Sequence, residues 1–134
     1  MLIWQKAMVL VTKIYNLSRQ FPKEELFGLT SQIRRCSVSI PSNIAEGYGR
    51  GSDTEFVRFL NITTGSLFEL QTQLEIAYNI EYLDNSTFKS LFDDTRELEI
   101  MLVSFTNKIK QRNNCGTRTY LSILAPKHLS ILKL

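Results

Sequence analysis

Four arginines and a tyrosine are the side chains of this chain best suited to chemistry, and the chemistry is phosphate and base recognition. Arg34, Arg35, Arg50 and Arg58 carry guanidinium groups that take phosphate oxygens bidentately, and Tyr48 offers a ring on which a base can stack. Consecutive helical residues point about 100° apart, so Arg34 and Arg35 cannot form one clamp: one faces solvent and the other makes a structural salt bridge. Asn43 and Glu46 lie three apart on one helical side, amid Ile40, Ile44 and Ala45. They are open to two readings. One is a polar contact with another subunit or a ligand; the other is an internal network that sets helix register, with Gln32 or Arg58 as partner. Buried polar groups need partners in any case, which favours the second.

Other chemistries lack their groups. Nucleophilic or acid–base catalysis needs a base beside a nucleophile in a cleft, and here the serines have no core histidine while the carboxylates fall mostly on solvated helix faces. We expect no enzyme, no small-molecule substrate and no cofactor. The single histidine, His128, lies near the C-terminus, and Cys36 and Cys115 form no CxxC pair, so neither a metal site nor a disulfide framework is expected. Gly47, Gly49 and Gly51 have the look of a phosphate-cradling loop, but such a loop follows a strand and this one follows a helix. A helix stop and turn is the simpler reading.

The elements that would position these residues are helices. Ile3, Ala7, Leu10, Ile14 and Leu17 mark the first, ending near Arg19. Leu26, Leu29, Ile33, Cys36, Ile40 and Ile44 mark a second, predicted from Pro22 to Tyr48, with Pro22 at its first position and a kink or break at Pro41. Ser37, Ser39 and Ser42 are at hand for the backbone groups released there. Ser52 and Glu55 form a capping box before a third helix of about 30 residues reaching Tyr78. After a connector with N-cap candidates at Asp84, Asn85 and Ser86, the run from Phe88 to Ile109 marks a fourth, whose Lys108, Lys110 and Arg112 suit the negative helix end. The fold class is all-α: an up-and-down antiparallel four-helix bundle over 1–112, with an irregular C-terminal tail over 113–134. Phe27, Ile62, Phe68, Ile76 and Ile80 fall off the main seams, as surface to be buried in an oligomer or partly between neighbouring helices.

The string SVSIPSNIAEGYGR, with WQKA near the N-terminus, FPKEELFGLTSQIRR before it and EFVRFLNITTGSLFELQTQLEIA after it, resembles the four-helix-bundle proteins encoded in 23S ribosomal RNA intervening sequences. The resemblance spans roughly Trp4 to Lys110. It implies a homopentamer, and a relative in which such a pentamer serves a diversity-generating retroelement by binding its reverse transcriptase and RNA. It implies no specific biochemical activity. Family members generally finish near the end of the fourth helix, so the tail departs from the pattern, either as a partner-binding element or as an acquired extension.

Length and charge agree with a small binding module. The 134 residues suit one domain, and no stretch approaches the roughly 20 apolar residues of a membrane span, so we expect a cytoplasmic protein. The net charge of +3 is unevenly laid out. Residues 1–51 hold seven Lys/Arg against three acidic residues, 52–107 three against ten, and 108–134 six against none. Nucleic-acid binding must therefore be local, or come from repeating a patch by oligomerisation. Two functions are consistent with this: an RNA-associated module working through the arginines, or a protein-interaction scaffold working through apolar surface. Salt separates them, since phosphate contacts weaken steeply with ionic strength and apolar contacts do not.

Overall fold

Apolar residues at steps of three and four give each helix one stripe, and four stripes close on a common core. The structure, a computed structural model, describes residues 1–115. Helix α1 covers Leu2–Ser18, α2 Leu29–Gly49, α3 Asp53–Asn79 and α4 Asn85–Cys115. Chain neighbours pack against each other and α1 packs against α4, which closes an antiparallel up-and-down bundle. Ile14, Ile33, Ile40, Ile44, Phe56, Leu60, Leu67, Leu70, Leu74, Leu98 and Leu102 are fully buried. Each such side chain stabilises the fold by about 1.5–3 kcal/mol. Lys6–Glu97 and Lys13–Asp94 ion pairs run along the α1–α4 seam at 2.5 and 2.7 Å.

The second helix starts later than its periodicity suggests. Lys23–Glu25 form a single 3₁₀ turn, and α2 begins at Leu29 rather than near Pro22. Glu25 is the cause: its carboxylate turns forward and accepts the Leu29 N–H at 2.8 Å, supplying the N-terminal cap. Gly28 leaves room for it, because a Cβ there would meet Glu25 Oε2 at 2.8 Å. Tyr82 donates its hydroxyl to the other Glu25 oxygen at 3.2 Å, tying this cap to the α3–α4 connector.

Pro41 does not end α2, which continues through it to Gly49. Ser37 and Ser39 donate to the carbonyls of Arg34 and Cys36 at 2.9 and 2.6 Å, and Asn43 Nδ2 donates to that of Ser39 at 2.7 Å. These bonds serve the helix on the N-terminal side of the proline, and Ser42 is exposed. Ser52 Oγ accepts the Glu55 N–H at 3.2 Å and caps α3, but the Glu55 carboxylate is taken by Arg58, so half of the capping box forms. Asp84 caps α4: it accepts the Thr87 N–H at 2.7 Å, which with Ser86 holds its carboxyl below the usual pKa. Residues 113–115, which the sequence pattern gives to the tail, continue α4, and the rest of the tail, with Pro126 and His128, lies outside the described residues. Among the described residues no helix is long and apolar enough to cross a membrane, and no cluster of three or more metal-ligating side chains occurs.

Candidate functional site

The α2–α3 corner brings together more of the candidate residues than any other part of the bundle. Gly51, at φ +83°, turns the chain between the helices in a conformation that suits glycine. Gly47 is buried against α3, where a Cβ would lie 2.5 Å from Phe59 Cβ. Close approach of the two helices therefore depends on it, whereas Gly49 faces open space. Gly47 serves packing and Gly51 the turn, in keeping with a helix stop and turn, while Gly49, the last residue of α2, serves neither.

Phe59 is the platform of this corner. The Arg50 guanidinium lies over its ring at 5.1 Å and the Arg58 guanidinium at 5.0 Å. Two cations from different helices are thereby held around one aromatic ring, each contributing about 0.5–1 kcal/mol at such an exposed position. Glu46 accepts from Arg50 at 2.7 Å and Glu55 from Arg58 at 3.0 Å, and all four side chains keep substantial solvent exposure. The corner is a charged, oriented surface.

The remaining candidates are dispersed. Arg34 is structural: its Nε donates to Ser18 Oγ at 2.7 Å and its guanidinium lies over Tyr15 at 5.0 Å, joining α2 to α1. Its partner is a hydroxyl and a ring, not the carboxylate of a salt bridge. Arg35, the next residue, is exposed, as the 100° step requires. Tyr48 offers no surface for a base, because its ring is 7% exposed and packs edge-on against Phe56 at 6.1 Å. The proposed polar network of Gln32, Asn43, Glu46 and Arg58 does not exist as one unit. Asn43 bonds a carbonyl of its own helix, Glu46 pairs with Arg50, Arg58 pairs with Glu55, and Gln32 is exposed. Helical spacing put Asn43 and Glu46 on neighbouring faces, but each found a closer partner within a turn of its own helix.

Arg112 plays a different part from the one its place near a helix C-terminus suggests. Its Nη2 donates to both carboxylate oxygens of Asp53, at 2.9 and 3.0 Å, with the side chains 10% and 9% exposed. The end of α4 is thereby fixed beside the start of α3. Lys108 and Lys110, both exposed, are carried to the same end of the bundle as Arg50 and Arg58. Cys36 is no nucleophile: it donates to the Ser66 carbonyl at 3.0 Å, and burial, aided by Glu69, pushes its thiol up to about 12. Phe27 stands 93% exposed, whereas Ile62, Phe68, Ile76 and Ile80 are 42–47% exposed, partly covered by the bundle and partly open to solvent.

Comparison with known proteins places this geometry. Residues 1–104 match the family model described as 23S rRNA-intervening sequence protein. A crystal structure of a protein of unknown function from the S23 ribosomal protein family of Bacteroides thetaiotaomicron VPI-5482 superposes with a TM-score of 0.72 at 27% identity. The match covers 78% of this chain and 97% of that one. No curated protein matches the chain.

Proposed function

The chain belongs to the 23S rRNA-intervening sequence protein family, and we propose that it is a non-catalytic, cytoplasmic bundle that binds RNA at the corner between α2 and α3. The observation that carries this reading is the convergence of Arg50 and Arg58 on Phe59. Stacking holds both guanidinium groups in defined positions before any ligand arrives, which lowers the entropy lost on binding. Their present carboxylate partners are exposed, and ion pairs of that kind contribute about 0–1 kcal/mol, so a phosphate can displace them at small cost. Lys108 and Lys110 add exposed positive charge at the same end of the bundle, on different sides of α4. Single-stranded or looped RNA suits such a surface better than an A-form major groove, which side chains cannot enter.

Fluorescence titration of the full chain with a labelled hairpin RNA tests the reading. Two phosphate contacts per protomer predict that log K falls linearly with log salt with a slope of about −1.5. Affinity that does not change with salt contradicts it.

A second reading is favoured by the placement of exposed apolar residues on two separate faces. Tyr15 stands beside Arg34; Met8, two turns before it, and Val38, one turn after Arg34, continue that α1–α2 face. Ile62, Ile76 and Ile80 occupy one side of α3. Two dissimilar patches are what a head-to-tail ring requires. We propose that the chain self-associates through them, as a pentamer by family resemblance, and that the ring repeats the arginine corner or presents a surface to a reverse-transcriptase-like protein partner. Apolar association of this kind should hold over the salt range that releases RNA.

A further inference from the structure

We propose that α1 of one copy lies alongside α3 of the next, and that Tyr15 and Arg19 key this contact by donating to Glu69 and Gln73 of the neighbouring copy. The inference rests on the reading that the chain self-associates, and adds the residues that set the register. Gln73 gives the first sign. It is 6% exposed, its amide nitrogen donates to Glu69 at 3.2 Å, and its Oε1 has no donor. An unpaired buried acceptor is uncommon and costly, and it points to a donor from outside the chain. Glu69 itself is exposed, and among the described residues no cation pairs with it.

The two acceptors sit in the middle of a stripe. Ile62, Ser66, Glu69, Gln73, Ile76 and Ile80 recur at steps of four, three, four, three and four, so they share one side of α3. Cys36 donates to the Ser66 carbonyl, which places that side along α2. A second stripe runs down α1: Met8, Thr12, Tyr15 and Arg19, at steps of four, three and four, all exposed. The Arg34 guanidinium over Tyr15 places this stripe along the other edge of α2. Because α2 packs against both α1 and α3, the two edges can be occupied at once, as a head-to-tail assembly requires.

Direction and chemistry fix the register. In a closed ring of several copies, neighbours are related by much less than a half-turn, so α1 of one copy runs in the same direction as α3 of the next. Laid side by side in that sense, the equal steps set Met8 against Ile62, Thr12 against Ser66, Tyr15 against Glu69 and Arg19 against Gln73. Apolar then meets apolar, and donors meet acceptors. Among the described residues neither the Tyr15 hydroxyl nor the Arg19 guanidinium has a hydrogen-bond partner of its own, and α1 holds no carboxylate side chain to repel Glu69. The Gln73 amide need only turn about its last bond to present Oε1 to the arriving guanidinium, giving up one bond of 3.2 Å. Sliding α1 by seven residues would set Met8 against Glu69 and Arg19 against Ile80, and both matches would be lost. Polar groups within an otherwise apolar helix seam select register and orientation in this way.

The test is disulfide trapping in the full chain carrying Met8→Cys and Ile62→Cys, with Cys115→Ala; Cys36 is buried and stays. Met8 and Ile62 are each 42% exposed, so the core is untouched. Mild oxidation should give a ladder of covalent oligomers, whereas either new cysteine alone gives at most a dimer. Met8→Cys with Ile80→Cys should give no more product than the single cysteines do. Adding Glu69→Arg should lower the Met8–Ile62 ladder by about tenfold or more, since it brings two cations together, and Arg19→Glu on top of it should restore the ladder. Light scattering of the wild-type chain separates the two possible failures. An oligomer whose Met8 and Ile62 positions do not link, that links through Met8 and Ile80 instead, or whose ladder ignores Glu69→Arg overturns this pairing and leaves self-association standing. A monomer overturns both.

Discussion

Replacing Arg112 by methionine should destabilise the bundle by about 3 kcal/mol or more, a large effect for a residue near the end of the last helix. The substitution keeps most of the stem and removes the cation. It leaves the Asp53 carboxylate, itself 9% exposed, buried without the guanidinium that now binds both its oxygens. The α3 N-terminus favours a negative charge, contributing about 0.3–1 kcal/mol, and this places the loss at the low end of the range for broken buried pairs. Arg112→Met combined with Asp53→Leu should recover most of the stability, because an apolar pair of similar volume is often as stable as a buried ion pair. Urea unfolding of wild type, the single variant and the double variant checks both statements. A loss under about 1 kcal/mol for Arg112→Met would show the pair to behave like a surface contact.

Gly47→Ala should cost about 2–3 kcal/mol, although alanine is the better helix former by about 1 kcal/mol. The new methyl would sit 2.5 Å from Phe59 Cβ and 3.3 Å from Cγ. Phe59 Cβ is anchored to the α3 backbone and cannot swing aside, so the helices must separate. The same substitution two residues on has the opposite sign: Gly49 has nothing within 4 Å of a Cβ, and Gly49→Ala should be neutral or stabilising by up to about 1 kcal/mol. Thermal melts of the two variants should differ accordingly, with a lowered midpoint for Gly47→Ala alone. Displacing Phe59 also disturbs the platform under Arg50 and Arg58, so Gly47→Ala should weaken RNA binding, and Gly49→Ala should not.

The fold was legible in the sequence because a bundle announces itself locally. Spacings of three and four mark every helix, and Ser52 and Asp84 mark two starts by their own side chains. The start of α2 was not so plain, because a proline suited to a first helical turn also suits the 3₁₀ turn that Glu25 and Gly28 separate from α2. Tyr48 could have been placed correctly: it continues Ile40 and Ile44 at steps of four and so belongs to their buried stripe. Its chemical type drew attention away from its period. The Arg112–Asp53 pair joins residues far apart in the chain, and only the relative register of α3 and α4 brings them together. Arg58 and Phe59 are adjacent, but Arg50 joins them across the turn at Gly51, which local spacing does not reveal.

The most direct measurement is the affinity of a labelled hairpin RNA for the full chain, for Arg50→Ala/Arg58→Ala and for Arg34→Ala, at one salt concentration and again across a salt series. The double variant should lose most of the affinity and flatten the salt slope by about 1.5, while Arg34→Ala, which removes a contact between α1 and α2, should keep both. Equal affinity and equal slope for wild type and the double variant would contradict an RNA site at the α2–α3 corner.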